Sequence, residues 1–93
     1  MKVKIITVGA LTRSLPKGQE IIEGREFTVQ EALDTLVSKH GKLIAEELYE
    51  NGKIKKDLSI LINGRNVLSI QDKYQTPLKD QDEIMITIYV TGG

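Results

Sequence analysis

The residues most suited to chemistry are Gly92 and Gly93, which end the sequence after a Val/Ile-rich segment at 84–90. Because glycine makes up about 7% of average proteins, two terminal glycines would arise by chance only about one time in 200. Glycine has no Cβ and adopts extended and positive-φ conformations freely, so such a tail can enter a narrow channel and present its carboxyl carbon to a partner's reactive groups. The alternative is a mobile chain end without a role, since chain termini are commonly disordered.

Other side chains capable of chemistry are few and form no catalytic pattern. His40 is the single histidine, and it falls at the end of a predicted helix, where we expect it to cap the last carbonyl groups or face solvent. Glu46–Glu47 and the acidic residues between 80 and 83 are interpreted as a solvated helix face and a turn. The sequence contains no phosphate-binding glycine motif and no cluster of metal ligands, so we predict no metal site.

Composition restricts the function further. The chain has no cysteine, so it can form neither a disulfide nor a thiolate metal site, as is usual in the cytosol. If the protein handles sulfur, only a terminal carboxylate could carry the atom. Its 13 basic and 13 acidic residues balance to a net charge of +0, without the basic footprint of a nucleic-acid binder. No apolar run approaches the roughly 20 residues of a membrane span, and the first residues lack the pattern of a signal peptide. We therefore expect a cytoplasmic protein with neither nucleic acid nor membrane as a partner.

One helix is predicted with clear boundaries. Thr28 and Glu31 form a capping box, and an apolar stripe follows at helical spacing up to Val37. Gly41 is a plausible terminating glycine. A weaker helical period continues through 43–48, and a turn is predicted at 50–53.

The remaining elements are predicted strands. β-Branched residues, alternation and the Asn63–Gly64 dipeptide, which favours a type I′ hairpin turn, indicate where these strands lie. The predicted strands are Lys2 to Val8, Gln19 to Phe27, Leu58 to Ile62, Arg65 to about Ser69, and Glu83 to Val90.

The order hairpin, helix, hairpin, strand predicts an α+β roll. We expect a mixed sheet of four to five strands packed on one main helix, in a single domain over residues 1–93 with a flexible tail at 91–93. On the sheet face away from the helix, Leu61, Met85 and Tyr89 would form an apolar group. Such a group is typical of a partner-binding surface, with ordinary surface residues as the alternative.

The residues resemble a known family. Leu61-Ile62-Asn63-Gly64-Arg65, Thr76-Pro77-Leu78-Lys79-Asp80, Asp82-Glu83, the last strand and the terminal Gly92-Gly93 are similar to the ubiquitin-like β-grasp sulfur carriers of the MoaD/ThiS type. This family includes the molybdopterin synthase small subunit and the thiamine sulfur carrier. The first strand and the capped helix fit the same pattern, so the resemblance covers essentially the whole chain. It implies a β-grasp (ubiquitin-like) fold.

The resemblance also implies a mechanism in which the chain is a substrate and has no catalytic residue or cofactor of its own. An adenylating, E1-like partner enzyme would use ATP to convert the Gly93 carboxylate into an acyl-adenylate. A sulfur donor protein would then displace AMP, and the resulting thiocarboxylate would pass its sulfur to a synthase subunit. Gly92 and Thr91 would form the tail that enters the partner.

The resemblance leaves the pathway and the final acceptor open. Molybdopterin biosynthesis, for the molybdenum or tungsten cofactor, is the leading expectation. Molybdopterin-type members usually carry a proline pair shortly before the glycines, whereas this chain has Ile88-Tyr89-Val90-Thr91. Thiamine synthesis or another sulfur pathway is therefore an alternative, as is a ubiquitin-like modifier conjugated through Gly93. A non-covalent β-grasp interaction module is a third possibility.

Overall fold

The computed structural model describes residues 1–8 and 18–88, with the backbone alone for Ile88. The predicted loop around Pro16 and everything after Ile88 lie outside the described residues. In the described part, seven strands, two α-helices and two 3₁₀ turns follow one another. They are β1 (Lys2–Thr7), β2 (Gln19–Glu23), α1 (Val29–His40), α2 (Lys42–Leu48), β3 (Tyr49–Glu50), β4 (Lys53–Ile54), β5 (Leu58–Ile62), β6 (Arg65–Asn66), the 3₁₀ turns Val67–Ser69 and Lys73–Gln75, and β7 (Glu83–Ile88).

Five of these strands form one mixed sheet in the order β2-β1-β7-β5-β6, while β3 and β4 pair separately. Residues 4–7 of β1 run parallel to residues 83–86 of β7. Residues 58–62 of β5 run antiparallel to residues 84–88 of the same strand. The first and last strands of the chain therefore meet at the centre of the sheet, and the predicted α+β architecture is confirmed.

The core lies between one face of the sheet and the two helices. Alternate residues of the strands point into it, because successive side chains of a strand face opposite sides. Burial of each large aliphatic side chain contributes about 1.5–3 kcal/mol. The buried apolar residues are Val3, Ile5, Ile22, Val29, Ala32, Leu33, Leu36, Ile44, Leu48, Ile60, Ile62, Val67, Leu78, Ile84 and Ile86.

Helix α1 begins and ends where the sequence predicts. The Thr28 hydroxyl accepts the Glu31 backbone N–H at 3.2 Å, and the Glu31 carboxylate accepts the Thr28 N–H at 2.9 Å, so both halves of the capping box are formed. The N–H of Val29 donates to the carbonyl of Thr76 at 3.0 Å. Gly41, at φ +82°, ends the helix.

Three predicted segments differ from the observed ones. The strand expected over Gln19–Phe27 ends at Glu23. The return strand expected over Arg65–Ser69 has only two residues, since the chain turns into a 3₁₀ segment that buries Val67. The weak helical period through 43–48 is a complete second helix, α2. The turn predicted at 50–53 is confirmed, as the tip of the β3–β4 hairpin.

His40 takes a different role from the two that the sequence suggested. Its Nε2 lies 2.8 Å from the Glu20 carboxylate, and its side chain is 16% exposed. Lys39 donates to the other oxygen of that carboxylate at 2.7 Å. The pKa of Glu20 is lowered below its ordinary value of 4.5, mainly because its carboxylate accepts the hydrogen bond from Lys39. The hydrogen bond with His40 lowers it further. The cluster joins the end of α1 to edge strand β2.

We predict that this cluster makes stability pH-dependent. Because the folded carboxyl holds its proton less tightly than the unfolded one, its stabilisation is complete above the ordinary pKa of 4.5 and is lost as pH falls through the lowered folded value. Glu20→Gln should lower the unfolding free energy at neutral pH by about 1 kcal/mol and flatten its decline in acid. Urea denaturation at several pH values measures both effects.

Glu23→Gln is the matched control on the same strand. Glu23 pairs with Lys2 at 3.7 Å, and both side chains are about two-thirds exposed, so its loss should change stability little. Equal losses of stability in the two variants would contradict a stabilising role for the Glu20 cluster. So would a decline of the unfolding free energy in acid that is the same in Glu20→Gln as in the unchanged protein.

Candidate functional site

β7 leads to the C-terminal glycines, and the sheet holds this strand on both sides. It is the central strand, and its side chains Ile84 and Ile86 are fully buried. Pairing with β5 continues to the pair Leu58–Ile88, so the backbone is anchored through residue 88. The predicted site residues Tyr89, Thr91, Gly92 and Gly93 lie outside the described residues.

The turn between β5 and β6 also fixes the start of β7. Asn63 and Gly64 have φ values of +51° and +86°, as the predicted type I′ turn requires. The Asn63 side chain accepts the Glu83 N–H at 2.9 Å and donates to Asp82 at 2.9 Å. Because this amide bridges the turn and the first residue of β7, it helps to set the register of β5 against β7.

Asp80 and Asp82 belong to the turn at 79–82 that precedes β7, as the sequence suggested. One Asp80 oxygen accepts the Lys2 backbone N–H at 2.7 Å, and this hydrogen bond is the main cause that lowers the pKa of Asp80. Asp82 accepts the Lys79 N–H at 2.8 Å. Within residues 1–8 and 18–88, no three His, Asp or Glu side chains are grouped so that they could hold a metal ion.

The register places Leu61 directly beside Met85, as predicted for the outer face of the sheet. Both side chains are partly exposed, on the face opposite the buried Ile60 and Ile84. Directly paired residues of neighbouring strands have Cβ atoms roughly 5 Å apart, so the two side chains form one continuous patch.

Sequence reasoning missed two members of this surface. Ile6 pairs with Met85 from the other side, and Ile21, which is 51% exposed, lies opposite Lys4 on edge strand β2. The alternation of β1 indicates that Ile6 faces away from the core. Only the parallel pairing of β1 with β7 shows that it joins Leu61 and Met85. We call Ile6, Leu61 and Met85 the outer row.

Polar residues flank the outer row on both sides. Toward the start of β7, a shallow depression of about 350 Å³ is lined by Lys2, Lys4, Ile21, Gln81, Asp82 and Glu83. Toward the end of β7, Ser59 lies opposite Thr87. An apolar centre with a polar rim is the usual composition of a protein-binding surface.

The described part of the chain therefore presents a partly exposed apolar row and an anchored central strand that leads toward the terminal glycines. None of its helices is long and apolar enough to cross a membrane. Its one histidine–carboxylate pair belongs to the ion cluster that joins α1 to β2. The arrangement suits a protein that is recognised on its sheet and acted on at its tail by another protein.

Comparisons with known proteins agree with this geometry. A model of the ThiS family matches residues 6–93, which include both terminal glycines. A protein of Archaeoglobus fulgidus named "Putative sulfur carrier protein" is 30% identical over 83 residues, which cover 89% of this chain and 93% of that protein.

Solved structures show the same fold. The small archaeal modifier protein 1 of Methanosarcina acetivorans superposes with a TM-score of 0.81 at 27% identity, over 99% of this chain and 96% of that one. SAMP1 of Haloferax volcanii superposes with a TM-score of 0.80 at 20% identity, over the full length of both chains. The second likeness shows the fold alone.

These matches run through the elements described above. The family model runs from Ile6 in β1 through both helices to the terminal glycines, and the archaeal structures superpose over 99–100% of this chain. The predicted ubiquitin-like β-grasp fold is therefore confirmed. The chain belongs to the ThiS family, within the ubiquitin-like sulfur carriers and small modifier proteins.

Proposed function

We propose that this protein is a sulfur carrier whose Gly93 carboxylate is adenylated by a partner enzyme and then converted to a thiocarboxylate. The observation that carries the proposal is the family match, which continues to residue 93 and so includes Gly92 and Gly93. The name of the Archaeoglobus fulgidus relative supports it. The absence of cysteine supports it as well, since no side-chain thiol can carry the sulfur.

The chemistry takes place on the carrier but uses the partner's catalytic groups. A carboxylate is a poor electrophile; attack of its oxygen on the α-phosphate of ATP releases pyrophosphate and gives an acyl-adenylate with AMP as a good leaving group. A sulfide equivalent from a donor protein then adds to the carbonyl carbon and expels AMP. Glycine at 92 and 93 suits a narrow channel because a Cβ would collide with its walls and restrict the backbone.

The outer row supplies the docking contact in this proposal. Ile6, Leu61 and Met85 are partly exposed and lie side by side on three adjacent strands. An enzyme that covers this row has the end of β7 at the edge of its contact surface, since β7 itself carries Met85. Docking therefore brings the tail to the active site without any rearrangement of the sheet.

We place the carrier in the cytoplasm, where ATP is available, and propose molybdopterin synthesis as the pathway that receives the sulfur. The protein needs no cofactor of its own in this proposal. Its partners are the adenylating enzyme, a sulfur donor protein and a synthase subunit that accepts the sulfur. Transfer from the loaded carrier to a pterin-synthase large subunit, and not to a thiazole synthase, is the outcome that supports this pathway.

The first prediction concerns the C-terminal tail. When the protein is incubated with its cognate adenylating enzyme, ATP and a sulfur donor, the mass of its C-terminal peptide should increase by the difference between one sulfur and one oxygen atom. Intact-mass measurement first verifies that Gly93 is the last residue. Deletion of Gly93 should abolish the product, because the reacting carboxyl moves out of reach, whereas Thr91→Ser should retain it. Free carboxylate alone in the complete reaction would refute the carrier proposal.

The second prediction concerns the outer row. Met85→Lys should lower kcat/KM for adenylation by about 10- to 100-fold, as expected for the loss of a central interface anchor. The aliphatic stem of lysine can still cover the sheet, so the fold should persist. Leu43→Lys is the matched control, because Leu43 is 69% exposed on α2, away from the outer row. Equal kinetics for the two variants, with both folded by circular dichroism, would remove the outer row from the docking surface.

The second candidate function is covalent modification of other proteins through Gly93. It is favoured by the 27% identity to the small archaeal modifier protein 1 of Methanosarcina acetivorans. The same acyl-adenylate would serve it, with a lysine amine as the final nucleophile. Because Lys79 is the last basic residue, trypsin would leave a long branch, and Thr91→Arg shortens that branch to Gly-Gly for mass spectrometry. Branched peptides on other proteins would favour modification.

A third candidate is a non-covalent binding module. Deletion of Gly93 separates it from the other two, because a binding module should keep its partner and its phenotype without the terminal residue.

A further inference from the structure

A groove on the helix side of the protein is separate from the outer row. It has a volume of about 510 Å³ and is open to solvent. Its walls come from α1, the β3–β4 hairpin, the start of β5 and the two 3₁₀ turns. The residues that matter to its chemistry are Tyr49, Leu58, Leu68, Tyr74 and the basic segment 53–56.

The floor of the groove is largely apolar, and a hydrogen bond holds one of its two tyrosine side chains in place. Tyr49 and Tyr74 are both half-buried, and burial is the main cause that raises the pKa of each phenol, so both are neutral at physiological pH. The Tyr49 hydroxyl accepts a hydrogen bond from the Gln30 amide at 3.0 Å. Leu68 is 61% exposed and lines the groove beside the two tyrosines, so its apolar side chain is available to a partner.

The rim of the groove is basic. Lys53, Lys55 and Lys56 line it, whereas the Asp34 carboxylate borders the floor at the Tyr49 hydroxyl. Among the described residues, none of these three lysines takes part in an ion pair. Three adjacent positive charges in a protein of net charge +0 therefore form a local field that an acidic partner would complement.

The groove and the outer row lie on opposite sides of the sheet. Leu58 has the same parity along β5 as the buried Ile60 and Ile62, whereas Leu61 faces the other way. Leu58 also pairs with Ile88, the last described residue of β7. A partner on the outer row thus leaves the groove free, and a second partner in the groove would lie beside the strand that leads to the tail.

We propose that this groove is a docking site for a short protein segment in which acidic residues alternate with large apolar ones. The apolar side chains would lie on Tyr49, Leu58, Leu68 and Tyr74, and the carboxylates would pair with the rim lysines. A nucleic acid fits less well, because the positive charge stops after three lysines and no basic track continues from it. The inference goes beyond the proposed function, since it requires no chemistry at Gly93.

The test uses the full chain, isotope-labelled for amide NMR, and a synthetic peptide in which Glu alternates with Phe and Leu. The expected result is a saturable set of shifts at Tyr49, 53–56, Leu68 and Tyr74 that weakens as salt is added. A matched peptide with Lys in place of each Glu should not bind there. Adenylation of Gly93 plays no part in this measurement, so its outcome is independent of the sulfur-carrier proposal.

Two pairs of variants test the charge and the apolar contact separately. The triple variant Lys53→Glu, Lys55→Glu, Lys56→Glu should weaken peptide binding about tenfold or more. The same charge change at Lys4, Lys42 and Lys79 together should have a smaller effect. Leu68→Ser should weaken binding severalfold, and Leu43→Ser should not. Both leucines are mostly exposed, so both variants should fold.

Several results would overturn the inference. They are the absence of peptide shifts, shifts on the outer row instead of the groove, equal weakening by the two lysine sets, and binding of the Lys peptide with equal affinity. Tighter binding of a single-stranded oligothymidylate at the same residues would also overturn it, in favour of a nucleic-acid site.

Discussion

The pairing of β7 on both edges is the constraint on which the rest of the structure depends. β1 holds this strand in parallel and β5 holds it antiparallel, while Ile84 and Ile86 anchor it to the helices. Because every backbone polar group in a central strand has a neighbour to bond with, such a strand opens only with the whole fold. The segment that carries the terminal glycines therefore starts from one of the most stable parts of the molecule.

Successive side chains of each strand face opposite sides of the sheet, so one set of residues packs in the core and the other is exposed. Ile60 and Ile84 face the helices and contribute to stability, whereas Leu61 and Met85, one residue further along, face outward and are available to a partner. A slip of one residue would exchange the two sets. The Asn63 side chain, bonded both to Asp82 and to the backbone of Glu83, protects the register on which this division depends.

The carrier role proposed for this chain requires recognition by other enzymes more than reactivity of its own, and the polar residues are consistent with it. Asp80 and Asp82 hold a turn, and Glu20 ties β2 to the end of α1 through Lys39 and His40. These ionisable groups are therefore structural. The two proposed recognition surfaces are partly apolar and exposed: the outer row on the sheet and the groove beside the β3–β4 hairpin.

The sequence by itself determined the features that depend on local physics. The capping box of α1, the positive-φ turn at Asn63–Gly64, the alternation that places Leu61 and Met85 on one face, and the family to which the chain belongs could all be predicted. Tertiary structure decided what depends on contacts between distant segments. The parallel pairing of β1 with β7 brought Ile6 beside Met85, burial of Val67 ended β6 after two residues, and Glu20 took His40 as a partner across 20 positions. Local patterns specify which way a side chain faces, but only the assembled sheet specifies which residue lies beside it.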